Sequence, residues 1–117
     1  MKILLIINDA PYGSEKAYNA LRLAMALQKE PTNPEVRIFL MADAVTCALP
    51  AQQTPQGYYN IERMLKAVLA KNGQIKACGS CSDARGIRGL SLVEGVEIST
   101  MSQLSLWVVD ADKVITF

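Results

Sequence analysis

Histidine is absent from the 117 residues of this chain. That excludes Ser–His and Cys–His catalysis within a single chain. It also excludes metal sites that use imidazole. Acid–base work would fall to carboxylates, lysine, tyrosine, a thiol or the substrate. A charge excess of either sign is missing too. Twelve Lys and Arg against 11 Asp and Glu leave a net charge of +1. Nothing therefore marks a nucleic acid or an anionic membrane as partner. No segment approaches the ~20 apolar residues of a membrane span. The opening apolar run is short and is broken by Asn8 and Asp9, unlike a secretion signal. Three cysteines, an odd number, make no secreted disulfide framework. These absences predict a cytoplasmic protein in which a close thiol pair is reactive or metal-binding.

What is present fits one domain spanning residues 1–117. Half of the residues are hydrophobic and 20% are charged. A near-neutral, apolar chain associates readily, so a homo-oligomer is expected. KILLII, residues 2–7, reads as a strand buried on both faces. NDAPYGS turns the chain into a helix over about 14–29, ended by EPTNP. EVRIFLM (35–41) is a second strand, and ADAVTCAL (42–49) is a short helix. YNIERMLKAVLAKNG (59–73) is an amphipathic helix with Asn72-Gly73 as its stop. QIKAC (74–78) is a third strand, ending on a cysteine. SDARGIRG is one helical turn capped by Ser82 or Asp83. VEIS (96–99) is a strand, a helix capped by Ser99 or Thr100 follows over about 101–110, and ADKVITF closes as a strand.

Strands alternate with helices throughout. The pattern implies right-handed crossovers and a mostly parallel, five-stranded sheet with helices on both faces. The predicted fold is α/β, a flavodoxin-like three-layer sandwich. Sites in such sheets lie beyond the carboxyl ends of the strands. NDAPYGS, ADAVT and GSCSDARG should gather there. Asn8, Tyr12, Ser14 and Asp43 are the expected pocket residues facing Cys78.

Cys78 and Cys81 stand in IKACGSCSDARGI, residues 75–87. One C-x-x-C supplies half of a structural zinc site, and Cys47 adds at most a third ligand. Thioredoxin-like exchange uses a C-x-x-C at a helix start. That fold places a cis-proline downstream, whereas the last proline here is Pro55. NDAPYGS has one glycine and matches no phosphate-loop fingerprint. A phosphoacceptor site would need Asp where Cys78 stands. Cys47, in TCAL, reads as a small packing residue. Cys78 and Cys81 have Gly, Ser and Asp as neighbours, which suit a surface loop. Arg85 and Lys76 lie close in sequence, and a nearby cation favours thiolate. Cys78, Cys81 and Arg85 are the candidate catalytic residues. No cofactor and no metal is expected.

Several stretches together resemble the DsrE/DsrF-like family, most closely its small single-domain, YchN-type members. They are NDAPYGSE, RIFLMADAV (37–45), GYYNIERML (57–65), CGSCSDARGI (78–87), GVEIST and ADKVITF. The resemblance runs from end to end. It implies a flavodoxin-like fold and assembly as a trimer or hexamer. Some family members carry sulfur, in sulfur oxidation or tRNA 2-thiolation, in complexes with dedicated partners. In those carriers a strand-terminal cysteine takes a persulfide ahead of an Arg-Gly loop. Cys78 followed by Arg85-Gly86 matches that position. Cys81 departs from the carriers, which have small apolar residues there. The resemblance thus implies a sulfur-relay protein with Cys78 as carrier and with donor and acceptor proteins as partners. A Cys78–Cys81 redox switch and a non-catalytic oligomeric scaffold or small-ligand binder remain the alternatives. The apolar IRGLSLV segment and VITF tail would support the scaffold as contact surfaces.

Overall fold

The computed structural model describes all residues, 1–117. Five strands form one sheet: β1 (Lys2–Ile7), β2 (Glu35–Leu40), β3 (Gln74–Cys78), β4 (Val96–Ser99) and β5 (Lys113–Thr116). Their order is β4-β3-β2-β1-β5, and every pairing is parallel. The sheet is thus wholly parallel where a mostly parallel one was expected. Four α-helices connect the strands: α1 (Lys16–Leu27), α2 (Ile61–Ala70), α3 (Gly79–Ala84) and α4 (Met101–Asp110).

β1 and β2 lie at the sheet's centre and carry its most apolar sequence. Leu4, Leu5, Ile7, Ile38, Phe39 and Leu40 have no solvent exposure. Each such side chain stabilises the fold by about 1.5–3 kcal/mol through burial. Leu21 of α1 with Ile61 and Leu65 of α2 completes the core on one face. The opposite face is covered differently. Right-handed crossovers from β1 through β4 keep α1 and α2 together, and the return through α4 must cross on the other face. There Trp107 packs edge-on to Phe39, with ring centroids 6.2 Å apart. Arg37 and Lys76 lie over the same indole, at 5.5 Å and 4.8 Å.

Local chemistry sets the element boundaries. Asn60 caps α2 by accepting from the Arg63 N–H at 3.0 Å. Thr100 caps α4 by accepting from the Gln103 N–H at 3.2 Å. Asn72-Gly73 does end α2, with a division of labour: Asn72 takes the left-handed conformation (φ 65°), and Gly73 allows close approach to Val68. α1 starts at Lys16, two residues after Ser14, whose hydroxyl donates to Asp9 at 2.6 Å and accepts the Lys16 N–H at 3.3 Å. The short helix expected at 42–49 is a 3₁₀ helix over residues 42–48. One expectation is corrected. The turn after β3 starts at Gly79 and is capped by Cys78, not by Ser82 or Asp83. Ser82 is buried instead, and its hydroxyl donates to the Cys78 carbonyl at 2.8 Å.

The chain steps outward from β1 to β4 and then returns to the far side of β1. The direction of the order therefore changes between β1 and β5. Ligand crevices of open α/β sheets favour such a switch point. Cys78, at the end of β3, lies two strands away from it.

Candidate functional site

Cys78 ends β3 beside Ser99 of β4 and is 3% exposed. As the cap of α3, its sulfur accepts the Cys81 N–H at 3.4 Å and lies 3.3 Å from the Ser80 hydroxyl. Burial pushes the thiol up, but hydrogen bonds from Ser80 and Cys81 outweigh it. The net result is a thiol more acidic than usual. Cys81 moves the other way. Its hydrogen bond to Cys78 is the main cause, with burial adding to it. Of the pair, Cys78 is the more acidic thiol and Cys81 the less acidic. A lowered pKa raises the fraction of thiolate at neutral pH, and the thiolate is the nucleophile.

The Cys81 sulfur also accepts the Ala42 N–H, at 3.3 Å. Ala42 adopts a left-handed backbone, φ 50°, which is uncommon for a residue with a Cβ. Asp43, next along, receives Arg85 through Nε at 3.1 Å and Nη2 at 2.7 Å. Arg85 Nη1 donates to the Cys81 carbonyl at 3.1 Å. Arg85 thus ties α3 to the 3₁₀ helix, and its charge acts on Cys81. The sequence had suggested Arg85 as the cation serving Cys78.

Arg88 is the residue that sequence reasoning missed. Its guanidinium pairs with both carboxylate oxygens of Asp83 and lies over Gly79, next to Cys78. The Asp83–Arg88 spacing of five is not a helical one. Only the turn at Gly86, φ 66°, brings the two together.

The expected pocket divides in two. Asp43 stands with Arg85 and Cys81. Asn8, Tyr12 and Ser14 are engaged elsewhere. Asn8 donates to the Phe117 carbonyl at 3.3 Å. The Tyr12 hydroxyl accepts the Ile61 N–H at 3.1 Å. Tyr12 also packs on Tyr58 and Tyr59, at 5.9 and 5.6 Å, and Tyr59 stacks on Tyr18 at 4.1 Å. All four tyrosines thereby join one cluster that pins the first loop to the segment before α2. Burial raises the Tyr59 hydroxyl to about 12, with help from Tyr58. Cys47 is a packing residue, as expected: it is 1% exposed, and burial raises its thiol to about 12.

Three clefts indent the surface. One of about 290 Å³ separates α1 from α2 and is lined by Arg22, Met25, Lys29 and Lys71 among others. The other two, about 190 and 280 Å³, border the amino-terminal ends of the strands. Neither cysteine of the pair lines any of them. No group of three or more Cys, Asp or Glu side chains comes together as a metal site. No helix is long and apolar enough to cross a membrane.

The whole chain, residues 1–117, matches the model of the DsrE/DsrF-like family. It is 49% identical to Protein YchN of Escherichia coli strain K12 over 116 residues, covering 99% of this chain and 98% of that protein. It is 39% identical to Uncharacterized protein MJ0989 of Methanocaldococcus jannaschii over 117 residues, all of both chains. The crystal structure of YchN from E. coli superposes with a TM-score of 0.95, over 100% of this chain and 99% of that one. The structure of MTH1491 from Methanobacterium thermoautotrophicum superposes at 0.79 with 13% identity, over 99% of this chain and 98% of that one, a likeness of fold alone. By sequence from end to end and by fold, the chain belongs to the DsrE/DsrF-like family.

Proposed function

We propose that this protein relays sulfur, carrying it as a persulfide on Cys78. The observation behind this reading is the Cys78 sulfur itself. It stands at a strand's carboxyl end, accepts the Cys81 N–H, lies 3.3 Å from the Ser80 hydroxyl and is more acidic than an ordinary thiol. Membership of a family linked to sulfur relay points the same way. The Cys78 thiolate attacks the outer sulfur of a donor persulfide. A new S–S bond forms at Cys78, the donor's S–S bond breaks, and the donor leaves as a thiolate. An acceptor thiolate then takes the outer sulfur and Cys78 is regenerated. Ser80 and the Cys81 N–H hold the sulfur's negative charge. Asn8, Tyr12 and Ser14 shape the first loop and have no part in the transfer.

The closeness of Cys81 favours a second reading, a thiol switch in which an external oxidant, a peroxide or a disulfide, takes two electrons and two protons from the pair and leaves a Cys78–Cys81 disulfide. One experiment separates the two. The protein is incubated with a cysteine desulfurase and cysteine, alkylated, and mapped by mass spectrometry. Addition of one sulfur at Cys78, abolished by Cys78→Ser, supports the relay. Loss of two hydrogens across Cys78 and Cys81 without added sulfur supports the switch.

The same reading includes assembly with further copies of the chain as a trimer or hexamer. Its support is α4, whose outward side carries Leu106 at 65% and Val109 at 84% exposure, with Met101 and Val108 beside them. Four large apolar side chains exposed on one short helix make a contiguous patch of the kind that marks a contact surface. Of the IRGLSLV segment, Ile87 and Val93 belong to the core and Leu90 is exposed, so it offers less apolar surface than α4. Light scattering of Val109→Asp against wild type tests this: a smaller particle is expected, and an unchanged mass would count against α4 as the contact.

A further inference from the structure

We propose that Gly79 and Arg88 form one device at the end of β3. The missing side chain at Gly79 leaves a seat for the Arg88 guanidinium beside Cys78, and that fixed cation holds the sulfur's negative charge, first as thiolate and then as persulfide. The persulfide half rests on the sulfur-relay reading; the thiolate half does not.

The seat is visible in the geometry. A Cβ on Gly79 would collide with Arg88 Nη2 and would stand 3.3 Å from Arg88 Cζ and 2.9 Å from the Ser99 carbonyl oxygen. Gly79 does not adopt a left-handed backbone, so its conformation does not demand glycine. The demand comes from two neighbours that share the space, the fixed Ser99 carbonyl and the end of the Arg88 side chain. Arg88 is also held in place. Asp83 grips it through both carboxylate oxygens, Nη2–Oδ2 at 3.0 Å and Nε–Oδ1 shorter still. Ile87, 6% exposed and bonded through its N–H to the Ser82 carbonyl at 3.0 Å, anchors the adjacent backbone. A bidentate pair of this kind fixes direction as well as distance.

The surrounding charges leave this role to Arg88. Asp43, at the start of the 3₁₀ helix, is matched by Arg85, and that pair acts on Cys81. Ser99 on β4 is neutral. Lys76, two residues back on β3, lies over Trp107. Asp83, on α3, is already paired with Arg88. The Arg88 guanidinium in turn holds its proton more firmly, through Asp83 first and through the charge of Cys78 in addition. Arg88 and Asp83 are both about half exposed, so solvent and the paired carboxylate moderate the effect.

The test is the rate of iodoacetamide alkylation at Cys78 across pH, with Cys81→Ser as the common parent and folding checked by circular dichroism. Arg88→Gln should raise the midpoint by about half a pH unit and slow the reaction about threefold at neutral pH. Arg88→Lys should restore most of the shift. Gly79→Ala should raise the midpoint by itself and raise it clearly less in the Arg88→Gln background, where only the contact with the Ser99 carbonyl is left to act. An Arg88→Gln midpoint within about 0.1 unit of the parent would overturn the proposal. So would a Gly79→Ala shift of equal size in both backgrounds. The midpoint is read without any sulfur donor. A midpoint shift in a protein that never accepts sulfur would sustain the thiolate pairing while overturning the relay reading.

Discussion

The backbone N–H of Ala42 donates to the sulfur of Cys81 at 3.3 Å, across 39 residues of sequence. Cys81 in turn donates its own N–H to the sulfur of Cys78. The end of β2 is thereby linked to the thiol at the end of β3. The link depends on Ala42 holding a left-handed backbone, φ 50°, which aims its N–H at α3.

That conformation costs an L-residue free energy that glycine avoids. Ala42→Gly should therefore leave the fold neutral to about 1 kcal/mol more stable, against the usual penalty for glycine. Urea unfolding measures it. A loss of about 1 kcal/mol or more would show that the strain is absent.

Cys47 predicts an alkaline weakness. Its thiol has an ordinary value of 9.0 and is raised by burial to about 12 in the fold. Above pH 9 the unfolded chain ionises this thiol and the folded chain does not. Stability is therefore complete below that pH and is lost as pH rises toward the folded value. Three units correspond to roughly 4 kcal/mol at most. Cys47→Ala should be somewhat less stable at neutral pH and should lose less stability than wild type between pH 9 and 11. Parallel pH profiles from chemical denaturation would contradict the assignment.

Arg37 is only 7% exposed, and its Nη1 has no hydrogen-bond partner. Its other groups pair with Glu35 and Asp110, at 3.2 and 2.8 Å, and both carboxylates remain substantially exposed. Replacing the cation by an apolar chain of similar reach leaves two acids that water can solvate. Arg37→Met should change stability by less than about 1 kcal/mol. Arg37→Ala should cost about 2–3 kcal/mol, because it also uncovers Trp107. Equal losses in both variants would mean that charge pairing, not packing, keeps Arg37 in place.

Tyr12 accepts the first N–H of α2 and packs on Tyr58 and Tyr59. Tyr12→Phe keeps the ring and removes the acceptor. It should lower stability by about 1 kcal/mol and leave sulfur loading at Cys78 unchanged. A variant that folds normally and fails to load would return Tyr12 to the reaction site.

Much of the framework could be read from local pattern. Buried strands announce themselves as KILLII and EVRIFLM, because a strand covered on both faces needs no polar alternation. Thr100 caps α4 as its position before a helical stretch suggested, since a cap is a contact over three residues. Cys78 was found because a strand end, a small polar turn and a second cysteine occupy one short stretch. The partition of the first loop was less legible. Nothing local shows that the Tyr12 hydroxyl would be claimed by an N–H 49 residues away.

By itself, then, the sequence determined the fold class, the order of elements and the thiol that stands at a strand end. All of these rest on side-chain periodicity, capping and turn chemistry within a few residues. The tertiary structure alone decided which cation serves which sulfur. Arg85 and Arg88 stand three apart in one loop, and either could have faced Cys78. The turn at Gly86 and the vacancy at Gly79 send Arg88 there, while Asp43, from a distant strand end, draws Arg85 to Cys81. Charge acts through distance in space, and that distance exists only once the sheet has brought the loops together.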